Sequence, residues 1–113
     1  MALPHPLPDE LAELIARRFR VIGEPMRIRL LDRLREGEAT VGELTALVGT
    51  SEQNVSKHLN LLQRSGIVAR RKEHNHVYYR IVDESVFALC EQVCGSLQQQ
   101  LRVLNELVEG VRA

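Results

Sequence analysis

The segment Ser51-Glu-Gln-Asn-Val-Ser-Lys-His58 concentrates side chains of the kind that read nucleic acid. Gln53 and Asn54 can each offer adenine a paired donor and acceptor, Ser51 and Ser56 can bond a base edge or a phosphate, and Lys57 can reach guanine or phosphate. Residues of this kind reach base edges from a helix of about three turns lying in the major groove. A polar helix face taken alone is more simply read as solvated, so what flanks it decides.

A second cluster lies just beyond. Arg70, Arg71 and Lys72 precede His74, Asn75 and His76. Strand alternation sends Arg70 and Arg71 to opposite faces, so only part of this cluster can meet DNA. Arg71, Lys72, His74, Asn75 and His76 are the candidates, with a larger expected effect on affinity than on sequence choice. A hairpin edge kept soluble by its charges is the plain alternative. His74 and His76 could bind a metal with a third group, although polar tip residues explain them as well.

The two cysteines, Cys90 and Cys94, stand four apart. On a helix both project to one face, with Cβ atoms roughly 5 to 6 Å apart, too far for a relaxed disulfide. Two thiolates holding a soft metal or metalloid ion, or four from two subunits, are easier geometrically. Modification by an oxidant or persulfide is a second reading. Small apolar filling of a packed seam is a third.

These groups need elements to carry them. Leu11, Leu14, Ile15, Phe19 and Ile22 recur at helical spacing after Asp9, a candidate cap, and Gly23 closes that helix. Pro25 suits the first turn of a second helix with Met26, Ile28, Leu30, Leu31 and Leu34 inward, ended by Gly37. Thr40 stands three residues before Glu43, a capping box opening a short helix that Gly49 ends. Ser51 or Thr50 caps the next, with Val55, His58, Leu59, Leu61 and Leu62 inward as far as Ser65-Gly66. Two short helices joined by a glycine-containing turn form a helix-turn-helix outline.

β-rich stretches at 67–71 and 77–81 flank a polar loop in which Asn75 can take a positive φ, a hairpin in the position of a wing. A long helix opens near Asp83. Its apolar stripe at 86, 90, 93, 97, 101, 104 and 108 has no obvious partner within so short a chain, and a second copy is the simplest one. The expected fold is mainly α with a β-hairpin wing, as a tail over 1–8 and one domain over 9–113.

Composition narrows the function classes. Aromatics are only 4% and Trp is absent, so Leu, Val, Ile and Ala must build the core, which suits packed helices. No apolar run is long enough to span a bilayer and the opening residues lack signal-peptide character, so a cytoplasmic protein with reduced thiols and no membrane partner is expected. The formal net charge is zero, but residues 51–80 carry Lys57, Arg64, Arg70, Arg71, Lys72 and Arg80 against Glu52 and Glu73. A basic middle of that kind can present a positive face to phosphate. There is no glycine-rich phosphate loop and no locally spaced Ser, His and carboxylate set, so an enzyme is not expected. A winged-helix module that binds an acidic protein is the rival reading. The polar face at 53–57, poor in apolar anchors, favours DNA over it.

The wording of three segments adds a resemblance. Phe19-Arg-Val-Ile-Gly-Glu-Pro-Met-Arg-Ile-Arg-Leu-Leu-Asp-Arg-Leu-Arg35, the stretch Thr50 to Val68 and Val77-Tyr-Tyr-Arg80 resemble, in order, the opening, the recognition helix with its exit and the second wing strand of ArsR/SmtB-family repressors. The resemblance implies a homodimer paired through the first and last helices that binds an imperfect palindrome of double-stranded DNA and leaves it when an inducer arrives. Known members sense transition metals, arsenite, persulfide or oxidants, and some sense none of these. By position, DNA contacts fall on Gln53, Asn54, Ser56, Lys57 and His58, with wing contacts from Lys72 to His76. The family's paired-cysteine site would fall on Thr40 and Gly42, which hold no thiolate. Its last-helix zinc site would fall on Asp83, Ser85, Ser96 and Gln99, one ligand of four, so zinc sensing of that kind is not expected.

Overall fold

A computed structural model describes residues 2–112. The chain forms two compact units that meet between Asp83 and Glu84, where length alone suggests a single domain over 9–113. A long final helix whose outer half exposes its apolar side chains is a local unit of its own.

The first unit begins with α1 (Asp9–Ile22), α2 (Pro25–Leu34), β1 (Ala39–Thr40) and α3 (Val41–Val48), and continues through α4 (Glu52–Arg64), β2 (Val68–Glu73) and β3 (His76–Ile81). Helix ends follow local chemistry. Pro8, and not Asp9, occupies the N-cap of α1, while Asp9 and Glu10 lie in its first turn, where negative charge meets the positive helix end. A Cβ at Gly23 would come within 2.8 Å of the Phe19 carbonyl oxygen, so the tight exit from α1 needs a residue without a side chain. Glu24 caps α2 through the Arg27 N–H, with Pro25 at the first position. Thr40 and Glu43 form the expected reciprocal capping box on α3, and Gly49 ends that helix with a φ of 69°. Ser51 caps α4 by accepting the Asn54 N–H.

The core is nearly all aliphatic. Leu30, Leu31 and Leu34 of α2, Leu44 of α3, and Val55, Leu59 and Leu62 of α4 are buried together with Ile67, Val68 and Tyr79. Val55, Leu59 and Leu62 recur at spacings of four and three, so one face of α4 is committed to the core and the opposite face is displayed.

The strands form one antiparallel sheet in the order β1-β3-β2. β1 was not apparent from the sequence; it pairs Ala39 with Tyr79 and Thr40 with Tyr78. The hairpin register pairs Val68 with Ile81 and Glu73 with His76, which leaves a two-residue turn at His74 and Asn75 in place of a five-residue loop. His74 takes the positive φ, 55°, that sequence reasoning assigned to Asn75.

The second unit is α5 (Ser85–Arg112), 28 residues and roughly 42 Å long at 1.5 Å per residue. It opens two residues later than expected. Val93, Leu97, Leu101, Leu104, Leu107 and Val108 are about half exposed or more. No helix among the described residues is long and apolar enough to cross a membrane.

Candidate nucleic-acid interface

Because Val55, Leu59 and Leu62 anchor one side of α4, the other side is set by helical phase. Gln53, Ser56, Lys57, Asn60, Gln63 and Arg64, with Glu52 at the N-terminal end, line a broad open surface along the helix. Gln53 and Lys57 are exposed and Ser56 is partly so. The surface can donate, accept and carry positive charge within the span of one groove. Asn60, Gln63 and Arg64 share this surface and are absent from the sequence-based candidates. Extending the helical phase of residues 53, 56 and 57 by two further turns would have found them.

Three candidates on or beside this helix have other partners. Ser51 caps α4, its Oγ accepting the Asn54 N–H at 3.1 Å, which leaves the hydroxyl free to donate outward. Asn54 is partly buried, and its Nδ2 donates to Thr50 Oγ1 at 3.3 Å and lies 3.6 Å from Met26 Sδ. His58, expected among the DNA contacts, is turned inward: its side chain is 16% exposed and its Nδ1 lies 3.0 Å from Arg27 Nη1. The physical reason is phase. Position 58 lies between Val55 and Leu62 on the anchored side of α4.

In the wing, Arg71 likewise departs from the expected contact set. Its guanidinium donates to both oxygens of Glu38 and to Glu73, and it lies 4.4 Å from the centre of the Tyr78 ring. Register explains this, since Arg71 pairs with Tyr78, and Tyr78 with Thr40, two residues beyond Glu38. The Arg71 hydrogen bond holds the Glu38 carboxyl below its usual range, and Glu38 in turn, with help from Glu73, raises the Arg71 guanidinium above its own. Two carboxylates thus neutralise the charge expected to meet phosphate.

Lys72, His74, Asn75 and His76 are exposed at the hairpin end, with the His76 ring edge-on to Tyr78 at 6.4 Å. The ion pairs among the described residues use neither Lys57 nor Lys72. Those two lysines keep their charge available to an external anion.

On α5, Cys90 is partly buried and Cys94 exposed, and both are free thiols. Among the described residues no three His, Cys, Asp or Glu side chains converge to hold a metal ion. A metal bridged by these thiolates would need ligands from a second molecule.

The comparisons with known proteins agree with this architecture. Residues 22–71 match the family model described as a helix-turn-helix domain. An uncharacterized HTH-type transcriptional regulator of Mycobacterium tuberculosis is 34% identical over 107 residues, covering 90% of this chain and 94% of its own. A transcriptional repressor SmtB homolog of Synechocystis is 31% identical over 96 residues, covering 85% and 73%. Among solved structures, a homodimeric winged helix-turn-helix DNA-binding domain of Mycobacterium bovis superposes with a TM-score of 0.71 at 29% identity, covering 89% of this chain and 94% of that one. A winged helix-turn-helix with an outward polar α4, in a chain matching these regulators along most of its length, is not an enzyme; it belongs to the ArsR/SmtB family of DNA-binding transcriptional regulators.

Proposed function

We propose that the protein is a repressor that works as a homodimer paired through α1 and α5, placing two copies of α4 in successive major grooves of an imperfect palindrome. The observation that carries this is the displayed face of α4, where Gln53, Ser56 and Lys57 project outward and no ion pair among the described residues engages Lys57. The groove faces of a palindrome recur about 34 Å apart, so a two-fold pair of such helices reads both half-sites at once. The hairpin end supplies phosphate contacts through Lys72, with Asn75 and the two histidines beside it. The homodimeric relative from Mycobacterium bovis and the unpartnered apolar face of α5 support the pairing.

Titration of a palindromic duplex against salt tests the reading. Binding is expected to weaken steeply, log K falling by about 0.9 per phosphate neutralised for each tenfold rise in salt. An affinity insensitive to salt points instead to a module that binds protein.

The inducer site in this proposal is the pair Cys90 and Cys94, reached by a soft metal or metalloid ion or by a thiol-reactive compound. Support comes from their shared helix face, the exposure of Cys94 and their place at the start of the apolar seam. Replacing both with Ser is expected to leave operator binding intact and to abolish its release by arsenite and by diamide. A double variant released as readily as the parent removes the thiols from the mechanism.

A further inference from the structure

Arg27 lies in the first turn of α2, and its guanidinium reaches two other helices. Nε donates to the Val21 carbonyl, Nη2 donates to the Arg20 carbonyl at 3.1 Å, and Nη1 lies 3.0 Å from Nδ1 of His58. Both carbonyls belong to the last turn of α1, where a helix leaves acceptors without intrahelical donors and where a cation meets the negative end of the dipole. The third bond reaches the anchored side of α4.

A guanidinium has donors only, so Nδ1 of His58 must present its lone pair, and the ring carries its proton on Nε2. Glu24 completes the cluster, accepting the Arg27 N–H at 3.1 Å and lying 3.9 Å from His58 Nδ1. A second arginine links the far end of the same helix. Arg18 of α1 donates to the carbonyl of Ser65, the C-cap of α4, at 2.8 Å. α4 is therefore tied to α1 at its middle, through Arg27, and at its C-terminal end, through Arg18.

The geometry points to Arg27 and His58 as positioning residues for operator recognition: they sit behind the reading face and fix the tilt of α4 relative to α1. The assignment rests on the DNA-binding reading above. Directional hydrogen bonds from Gln53 to a base edge weaken steeply when the donor and acceptor lose alignment, whereas attraction between Lys57 and phosphate is long-ranged and tolerant. A small rotation of α4 therefore removes sequence discrimination before it removes non-specific binding. The core contacts of Leu59 and Leu62 persist through such a rotation.

His58→Asn and His58→Gln separate position from polarity. Asn places its acceptor oxygen where Nδ1 stands, while Gln carries it one bond further out. The operator is a duplex selected by the wild-type protein from a random pool, and binding is read beside a non-specific duplex and thermal unfolding. His58→Gln is expected to lose about tenfold or more in operator affinity, the scale of a hydrogen bond to a charged group, with non-specific affinity and Tm near wild type, while Arg27→Gln loses as much operator affinity and also lowers Tm because it frees the Val21 and Arg20 carbonyls. His58→Asn is expected to stay within about threefold of wild type, and the double Arg27→Gln, His58→Gln variant to lose no more than Arg27→Gln alone, because the contact to His58 is already gone in that single change. Full operator affinity in His58→Gln, equal losses in His58→Asn and His58→Gln, or a parallel fall of operator affinity, non-specific affinity and Tm in His58→Gln overturns the assignment. A wild-type protein that selects no operator sinks the repressor reading along with it, while a selective wild type with an unaffected His58→Gln overturns the positioning role alone.

Discussion

Leu97→Asp combined with Leu104→Asp is expected to leave the chain folded but monomeric at micromolar concentration, and to weaken operator binding by at least about a hundredfold, the low end of what linking two binding sites supplies. Both leucines are more than half exposed within one chain, so their loss removes little from its own packing. Across a two-fold interface the pair is used twice. Fully burying an exposed leucine contributes about 1.5 to 3 kcal/mol, and with roughly half of each already covered the four side chains account for about 3 to 6 kcal/mol, a large share of the roughly 8 to 12 kcal/mol that holds a micromolar to nanomolar dimer. Sedimentation at several concentrations and circular dichroism check the two halves of the expectation. A dimer that survives the change means the apolar face of α5 is not where the molecules meet.

The spacing of that face also constrains how the two helices would pair. Val93 and Leu104 are eleven residues apart, as are Leu97 and Val108. An eleven-residue repeat runs at about 3.67 residues per turn, so the partner helices are expected to wind with a slight right-handed twist and not in the left-handed sense of a heptad coil.

Leu59→Ala should cost about 2 to 5 kcal/mol of stability, the range for truncating a leucine in a packed core. Leu59 is fully buried on the anchored side of α4, flanked in sequence by His58 and the displayed Asn60. Domains of this size are stable by only about 0.05 to 0.15 kcal/mol per residue, so the loss is a large share of the total. Urea unfolding is expected to show a lower midpoint at an unchanged slope, and Asn60→Ala to unfold within about 0.5 kcal/mol of wild type. If Leu59→Ala unfolds with the parent, α4 does not owe its seating to this face.

Much of this arrangement was legible in the sequence because the relevant signals are local. The three-and-four spacing of Val55, Leu59 and Leu62, the Thr40 and Glu43 capping box and the glycines at 23 and 49 each act within a few residues, and each appears as expected. What escaped is non-local. A two-residue strand at Ala39–Thr40 has no alternation to betray it and exists only because Tyr78 and Tyr79 lie alongside. Arg71 meets Glu38 from 33 positions away, a contact that depends on the sheet register. The turn fell on His74 and Asn75 because Glu73 pairs with His76, whereas composition favoured Asn75 as the residue of positive φ. His58 differs from these, since the helical phase that identified Val55 and Leu62 also places it on their side, away from the displayed face of α4.

The short strand β1 supports the hairpin from one side only as far as Tyr78. Beyond that rung the remaining pairs, Lys72 with Val77 and Glu73 with His76, project like a cantilever roughly 7 Å long at 3.4 Å per residue. Such an overhang is held by fewer strand pairs than the rungs behind it. On the proposed mode of binding, Lys72 would ride on a compliant arm and Gln53 on a stiff one, so the wing would adapt to the shape of a duplex while α4 demands a fixed base.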